Sequence, residues 1–229
     1  MQDPIGTRRS GDRSRDTGVT RLCLVRHGET AWNAEGRVQG QLDIPLSAAG
    51  LQQAKAVASA LTGEAFDAIY SSDLVRALQT AQPSADMLRK QVAFDQRLRE
   101  RHYGVFQSIT YAEAKERFPE DYARFKAKDL DFDFEIGESL RGFDERVLVF
   151  FRELLESRKG QNLLIFTHGG VLEIVYRHAT GRGLTTPRDF EIPNAALNRV
   201  AYDGAKWRVD AWADIRHLSV TLDDLPDAR

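Results

Sequence analysis

Short apolar runs alternate with amphipathic helical patterns from Thr20 onward, and this alternation restricts the fold more than any other feature of the sequence. The strand-like runs cover residues 22–26, 66–70, 92–94 and 162–166. Patterns of helical period lie between them, as expected when parallel strands are joined by helical crossovers. We therefore predict a three-layer α/β/α fold with a mostly parallel, doubly wound sheet.

Capping residues indicate where the helices begin and end. Ser47 is a good N-cap for a helix that Gly63 would stop. Asp73 is expected to start the next helix, which Pro83 would bend or restart. Further helices are predicted over residues 111–127 with a break at Pro119, over 139–157, and over 171–179. The segments 197–202 and 206–212 predict a β-hairpin that adds an antiparallel C-terminal edge to the sheet.

The length of 229 residues suits one α/β domain, which we predict over residues 20–229. Residues 1–19 contain four arginines and little apolar surface, so we expect a disordered tail. The formal net charge of −2 gives no general attraction to nucleic acid or to an anionic membrane. Apolar runs of about 18 residues, the length needed to span a bilayer, do not occur in the sequence.

The single cysteine, Cys23, lies in the apolar run 22–26, so an intramolecular disulfide is impossible and the residue is expected to be a buried core group. A single cysteine that forms no disulfide is typical of proteins in a reducing compartment, and we expect a cytoplasmic protein. The exposed edge strands of such a sheet are compatible with a homodimer.

Ligands of open α/β sheets bind beyond the carboxyl ends of the strands. Arg26 and His27 follow the first strand, residues 71–73 follow the second with Arg76 one turn into the helix, and His168 follows the strand at 162–166. Each residue alone would be unremarkable at a protein surface. Because parallel strands end at one rim, however, the pattern brings two histidines and two arginines together.

This set of side chains suits phosphoryl transfer. Guanidinium groups match phosphate oxygens in a bidentate way that lysine cannot. The backbone N–H groups of Gly169 and Gly170 open a helix and add free donors and a favourable dipole. A neutral imidazole can attack phosphorus and carry the phosphoryl group as phosphohistidine. The expected ligand is therefore a small phosphorylated molecule.

Four segments resemble, in order, the signature blocks of the histidine phosphatase superfamily, also called the phosphoglycerate mutase-like family. They are LVRHGETAWNAEGRVQGQLDIPLSAAG at residues 24–50, SSDLVRALQTA at 71–81, RLRERHYGVFQ at 97–107, and FTHGGV at 166–171. The resemblance implies a phosphoglycerate mutase-like fold with its site at the C-terminal edge of the sheet. It implies no metal and no other cofactor, since the arginines supply the positive charge.

Carried over by matching position, the resemblance gives His27 the role of phosphorylated nucleophile and Glu100 that of proton donor and base. It implies a phosphate pocket formed by Arg26, Arg76, His168 and Asn33. Candidate substrate contacts are Thr30, Gln39, Gly40, Tyr103 and Gly169. Glu29 is expected to be structural, because a second free carboxylate would repel phosphate. His102, His178 and His217 match no role.

Phosphatase and mutase are both compatible with the family. Residues 100–104 resemble a string of the cofactor-dependent phosphoglycerate mutases, which favours a mutase. Their following lysine is absent from the segment 107–111, and the acidic segment 129–139 would repel a bisphosphate. The Gly-Glu-Ser element at 137–139 resembles that of the broad-specificity phosphatases. We therefore favour a phosphomonoester hydrolase over a mutase that interconverts 2- and 3-phosphoglycerate.

Two readings from other classes are less compatible with the residues. A non-catalytic phosphate-binding module would be expected to lack His27, Glu100 or one of the arginines, and all are present. A dinucleotide-binding enzyme would need a G-x-G-x-x-G run after a strand, which the sequence does not contain. Ser108 stands where the family usually has glycine, and the sequence does not indicate how this affects specificity.

Overall fold

The computed structural model describes residues 18–223, so most of the tail predicted over residues 1–19 lies outside the described residues. Six strands form one sheet: β1 (Thr20–Arg26), β2 (Ala68–Ser71), β3 (Val92–Phe94), β4 (Asn162–Thr167), β5 (Leu197–Tyr202) and β6 (Trp207–Asp214). The α-helices of the described residues are α1 (Ala31–Ala34), α2 (Ala48–Ala60), α3 (Val75–Leu88), α4 (Tyr111–Arg117), α5 (Pro119–Lys126), α6 (Leu140–Ser157) and α7 (Gly169–Thr180).

The strand order is β3-β2-β4-β1-β5-β6. The pairs β3-β2, β2-β4 and β4-β1 are parallel, whereas β1-β5 and β5-β6 are antiparallel. The predicted mostly parallel sheet with an antiparallel C-terminal edge is therefore confirmed. Because β1 and β4 are central neighbours, their carboxyl ends meet at the middle of the rim.

Alternate residues of the central strands pack on opposite layers of helices. Leu24 and Ile165 belong to a core with α6 and α7. Val25 and Phe166 belong to a second core with α2 and α3. Side chains of a strand point alternately to the two faces of a sheet, so this division makes the predicted three layers. Cys23 is buried in the second core, where burial raises the pKa of its thiol to about 12 and suppresses its reactivity.

The predicted N-cap of α2 is confirmed, and the predicted start of α3 is corrected. Ser47 accepts from the Gly50 amide at the start of α2, and Ser139 does the same for Gly142 at the start of α6. The prediction that Asp73 starts α3 is wrong: the helix begins at Val75, whose amide is bound by Asp43 from the preceding loop. The Asp73 carboxylate pairs with Arg99 instead.

Two further boundaries differ from the sequence prediction. Pro83 lies inside α3 and does not start a new helix. The helix predicted from Val171 begins earlier, at Gly169. In addition, the segment between β1 and α2, for which no helix is predicted, contains the short helix α1, capped by Thr30 and Asn33. Such short elements have too few residues for a hydrophobic period, so the pattern could not indicate them.

The segment of residues 104–138, called here the lid segment, carries α4 and α5 and has its own aromatic cluster. Phe106, Phe132 and Phe134 are buried there, and Val38 from the loop after β1 joins them. The cluster fixes the lid segment beside the rim of the sheet. Among residues 18–223, none of the helices has the length and apolar character required to cross a membrane.

Candidate active site

The sheet brings the predicted residues to one rim. In the β1–β4 register Arg26 pairs with Thr167, and the ladder continues past the strands because the His27 amide donates to the Thr167 carbonyl at 2.9 Å. The Ser72 amide likewise donates to the Phe166 carbonyl at 3.0 Å. The ring centroids of His27 and His168 are consequently only 5.2 Å apart.

His27 is buried, and its hydrogen bonding fixes its tautomer. Its Nδ1 lies 2.7 Å from the carbonyl oxygen of Gly28. A carbonyl can only accept, so Nδ1 carries the proton and the lone pair resides on Nε2. Burial and then the charges of Arg76 and Arg26 hold the pKa of His27 well below its usual value of 6.5. The imidazole is therefore neutral and nucleophilic near neutral pH.

Two buried guanidinium groups supply positive charge at this rim. Arg76 is 1% exposed and donates to the carbonyls of Leu42 and Gly40, at 2.8 and 2.7 Å. Its Nε has no hydrogen-bond partner within the described residues. Arg26 is 2% exposed and donates to the carbonyl of Ile192 at 2.8 Å. Burying two cations is costly unless an anion joins them, which favours an anionic ligand.

His168 is the N-cap of α7 and is fully buried. Its Nε2 lies 2.8 Å from Oγ of Ser72, whereas its Nδ1 lacks a partner within residues 18–223. Burial, followed by the charge of Arg76, holds the pKa of His168 well below its usual range. Binding of a dianion beside it would offset the repulsion from the arginines and supply an acceptor for the ring.

Glu100 lies in the irregular segment after the 3₁₀ turn Gln96–Leu98 and is 7% exposed. Its Oε1 accepts from the Arg101 amide at 2.7 Å, and its Oε2 accepts from the Gly170 amide at 2.9 Å. Burial raises the pKa of this carboxyl above its ordinary value, although the two N–H bonds and the nearby arginines oppose the shift. A raised pKa suits a group that must hold and release a proton.

The remaining predicted pocket residues have defined places. Asn33 is buried, and its Oδ1 accepts from the amide and the hydroxyl of Thr30 in the cap of α1. Gln39 is buried, and its Oε1 lacks a partner within the described chain. Gly40 adopts a left-handed φ of 54°, which turns the chain so that its carbonyl meets Arg76. Glu29 accepts from the hydroxyl of Ser47, the N-cap of α2.

A cavity of about 70 Å³ lies next to Glu100, between the lid segment, α6 and α7. Its lining includes Arg101, Tyr103, Lys128, Phe132, Gly170 and Arg177. Gly170 belongs to this lining and also donates a hydrogen bond to Glu100, so the cavity adjoins the carboxyl group of Glu100. Gly169 lies one residue earlier, at the first position of α7.

Three residues support the site without having been assigned a role from sequence. Ser72 contacts His168, Thr80 accepts from the Gly28 amide at 2.9 Å, and Asn194 donates to the His27 carbonyl at 3.0 Å. The position of Ser72 directly after β2 could have indicated it. Thr80 and Asn194 lie within a helix and before an antiparallel strand, where no sequence rule points to a site.

The histidines without a predicted role have local partners outside this pocket. The Gly104 amide donates to Nδ1 of His102, His178 pairs with Asp144, and Nε2 of His217 lies near the Ala195 carbonyl. Among the residues that the structure describes, no group of three or more histidine, cysteine, aspartate or glutamate side chains could hold a metal ion.

Comparison with known proteins agrees with this geometry. The model of the histidine phosphatase superfamily (branch 1) matches residues 22–215. The chain is 39% identical to phosphoglycerate mutase-like protein 4 of Arabidopsis thaliana, covering 91% of each chain. It is 37% identical to the metal-independent phosphoserine phosphatase of the same plant, covering 89% of this chain and 85% of the relative.

Solved structures give the same result. A phosphoserine phosphatase variant of Entamoeba histolytica, in complex with phosphoserine, superposes with a TM-score of 0.79 at 28% identity. The match covers 87% of this chain and 99% of that one. Fold, rim geometry and sequence signature thus agree, and the chain belongs to branch 1 of the histidine phosphatase superfamily.

Proposed function

We propose that the protein is a metal-independent phosphomonoester hydrolase that acts through a phosphohistidine on His27. The observation that carries the proposal is the hydrogen bond from Nδ1 of His27 to the Gly28 carbonyl, which leaves the lone pair on Nε2 between two buried arginines. The phosphatase names of relatives in the same family support the hydrolytic reading.

In the first step, Nε2 of His27 attacks phosphorus and the bond from phosphorus to the ester oxygen breaks. Glu100 donates its proton to that oxygen, so the leaving group departs as a neutral alcohol. Arg26, Arg76 and His168 hold the oxygens of the transferring group, whose charge is spread over three equatorial positions. Asn33 adds an amide at the same pocket.

In the second step, the Glu100 carboxylate takes a proton from water, and the resulting oxygen attacks the phosphohistidine. The bond from phosphorus to nitrogen breaks, phosphate leaves, and the lone pair returns to Nε2. One carboxyl group thus serves as acid and then as base in each cycle. The positive charge that a metal supplies in other phosphatases comes here from the arginines.

The test compares the wild type with His27→Ala in hydrolysis of p-nitrophenyl phosphate and a panel of alkyl phosphates, with chelator present. We expect hydrolysis by the wild type, none by His27→Ala, and a trapped phosphoryl group on the wild-type chain alone. His178→Ala is the matched control, because His178 lies on α7 and pairs with Asp144 away from the pocket. Turnover by His27→Ala would contradict the mechanism.

The mutase alternative is tested in the same samples. A mutase must return the phosphoryl group to a second substrate oxygen before water enters. Interconversion of 2- and 3-phosphoglycerate without release of phosphate would favour that alternative over the phosphatase. We expect phosphate release to dominate, because the acidic segment 129–139 would repel a bisphosphate. The segment lies at the end of the lid segment.

We further propose that the cavity beside Glu100 holds the non-phosphate part of the substrate and favours a carboxylate. Arg101 is 6% exposed there, and its Nε and one terminal nitrogen donate to the carbonyls of Glu138 and Phe132. Its guanidinium also packs 4.7 Å from the ring centroid of Phe134. A buried guanidinium held by carbonyl groups keeps its charge available to an anionic group of a ligand.

The substrate pair O-phosphoserine and O-phosphoethanolamine differs only by that carboxylate. We expect a higher kcat/KM for phosphoserine in the wild type and a loss of about 10- to 100-fold of this preference in Arg101→Gln. Arg141→Gln, on the exposed side of α6, should keep the preference. Equal kcat/KM values for both esters in the wild type would exclude a carboxylate site.

A further inference from the structure

Arg146 of α6 holds the main chain on both sides of Glu100. One terminal nitrogen of its guanidinium donates to the carbonyls of Arg97 and Arg99, at 2.8 and 3.1 Å. The other donates to the carbonyl of Glu100 itself at 3.3 Å. Residues 99–103 belong to no helix or strand, so the carbonyls of Arg99 and Glu100 have no regular ladder to satisfy them.

Glu138 completes this arrangement from the end of the lid segment. Its two carboxylate oxygens accept from Arg146, at 2.6 and 2.7 Å. The oxygen at 2.7 Å also accepts from the His102 amide at 2.9 Å. The positive charge of Arg146 therefore binds the carbonyl of Glu100 and carbonyls before it, and the negative charge of Glu138 binds an amide after it.

Burial and rigidity make the pair suitable for fixing a position. The side chains of Arg146 and Glu138 are only 20% and 23% exposed. Arg146 stands on an 18-residue helix whose apolar face is in the core, so its base is fixed. Proton transfer requires the donor within about 0.5 Å of its productive position, and a loop alone does not provide this.

We infer that Arg146 and Glu138 are positioning residues that hold the carboxyl group of Glu100 in line with the leaving oxygen. The inference rests on the proposed role of Glu100 as proton donor. Both residues act through the main chain of residues 97–102, where they bind the carbonyls of Arg97, Arg99 and Glu100 and the amide of His102. A merely structural pair would affect all substrates equally, whereas a pair acting through Glu100 affects those that need a proton.

The test measures formation of phosphohistidine in a single turnover with two substrates. Nitrophenolate leaves without being protonated, whereas the alkoxide of O-phosphoethanolamine requires the acid, and this ester has no carboxylate for Arg101. We expect Arg146→Met to slow phosphorylation by O-phosphoethanolamine about 10- to 100-fold, since misplacing a catalytic group costs up to about 100-fold. Phosphorylation by p-nitrophenyl phosphate should change by less than about threefold, because its leaving group bypasses general acid catalysis.

Two comparisons separate positioning from general damage. Arg141→Met removes another arginine of α6 that is ion-paired, with Asp131, but exposed, and it should change neither rate. In a double-mutant cycle, Arg146→Met in the Glu100→Gln background should produce no further loss with O-phosphoethanolamine. If Arg146→Met does not yield folded protein, Arg146→Lys, which keeps the charge and loses the planar fork, should show the same selective loss.

Equal slowing of both substrates, or additive losses in the cycle, would overturn the inference while leaving the role of Glu100 intact. A Glu100→Gln enzyme that loses no selectivity between the two substrates would overturn both the inference and the proposed proton donor. Selective loss in Glu100→Gln and Arg146→Met, without additivity, is the result that supports the inference.

Discussion

The amide of Gly170 donates a 2.9 Å hydrogen bond to the carboxylate of Glu100, and the two residues are 70 positions apart in the chain. The amide belongs to the first turn of α7, whose N-terminal dipole stabilises negative charge. Burial acts in the opposite direction and raises the pKa of Glu100 overall. Two opposing influences therefore act on the pKa of this carboxyl group, which suits its proposed role as proton donor and base.

This contact leaves no room for a side chain at Gly170. A Cβ there would lie 2.2 Å from Oε1 of Glu100 and 3.1 Å from the ring of Phe143. We expect Gly170→Ala to displace the Glu100 carboxyl group and to lower kcat on alkyl phosphates by up to about 100-fold, as expected for a misplaced catalytic group. Steady-state kinetics with O-phosphoserine measures the effect.

Gly183→Ala is the control for that substitution. A Cβ at Gly183 would meet Oγ1 of Thr186 at an ordinary 3.5 Å, and the residue lies beyond the end of α7. Its activity should equal that of the wild type. Full activity in Gly170→Ala would show that Glu100 is not confined as the structure indicates.

The pH profile should reflect both shifted groups. The first step needs neutral His27 and protonated Glu100. The lowered pKa of His27 keeps the imidazole neutral to lower pH, and the raised pKa of Glu100 keeps its proton to higher pH. We therefore expect phosphorylation by alkyl phosphates to be fastest at acidic pH and to fall as pH rises through the pKa of Glu100.

Comparison with Glu100→Gln isolates that alkaline decline, because ionisation of the substrate is the same in both enzymes. The variant should be slower at acidic pH and should lack the part of the decline caused by Glu100. The measurement is single-turnover phosphorylation as a function of pH. An identical alkaline decline in both enzymes would assign it to the substrate or to another group.

Arg76→Lys should weaken phosphate binding although the charge is kept. Two guanidinium nitrogens of Arg76 are bound to the carbonyls of Gly40 and Leu42 while Nε has no partner among residues 18–223. An ammonium group cannot serve both carbonyls and a phosphate oxygen in this geometry. We expect the inhibition constant of inorganic phosphate to rise about 10- to 100-fold, equivalent to about 1.4–2.8 kcal/mol. Arg141→Lys, at an exposed ion pair, should leave it unchanged.

Ser108 adopts a φ of 74°, a left-handed conformation that costs a residue with a Cβ about 1 kcal/mol. Its amide and carbonyl bind Val38 and Arg37 through main-chain atoms, which glycine would keep. Ser108→Gly is therefore expected to raise the free energy of unfolding by about 0.5 kcal/mol. The gain is smaller than the cost of the strained backbone, because glycine also increases the conformational entropy of the unfolded chain. Urea denaturation measures it. Ser108→Ala keeps the Cβ and should give no stabilisation.

Sequence reasoning was strongest where physical rules act locally. The apolar run ending at Arg26 and the glycines after His168 indicated strands whose ends meet, and the observed register of β1 with β4 follows. Ser47 caps its helix as predicted, because a serine hydroxyl can reach an amide three residues ahead. These features depend on few neighbours in the chain.

The features of the fold and of the site that the sequence did not predict depend on contacts between distant segments. Asp73 resembled a helix cap, but it pairs with Arg99, and Asp43 binds the first amide of α3. Arg146 resembled any charged residue of an amphipathic helix until the structure placed it on the carbonyls around Glu100. A residue that acts through another segment's main chain leaves no periodic signal in its own.

The position of β1 between β4 and β5 has a consequence for synthesis of the chain. Both neighbours of β1 are encoded in the C-terminal half, and the Ser72–His168 bond also spans 96 positions. A growing chain carries His27, the proposed nucleophile, early, yet the pocket around it is incomplete until those late strands dock. Nascent fragments should therefore be inert toward phosphate esters, and phosphate should stabilise only the finished sheet, by mass action on the native state. The site is thus expected to become active only after β4 and β5 have paired with β1.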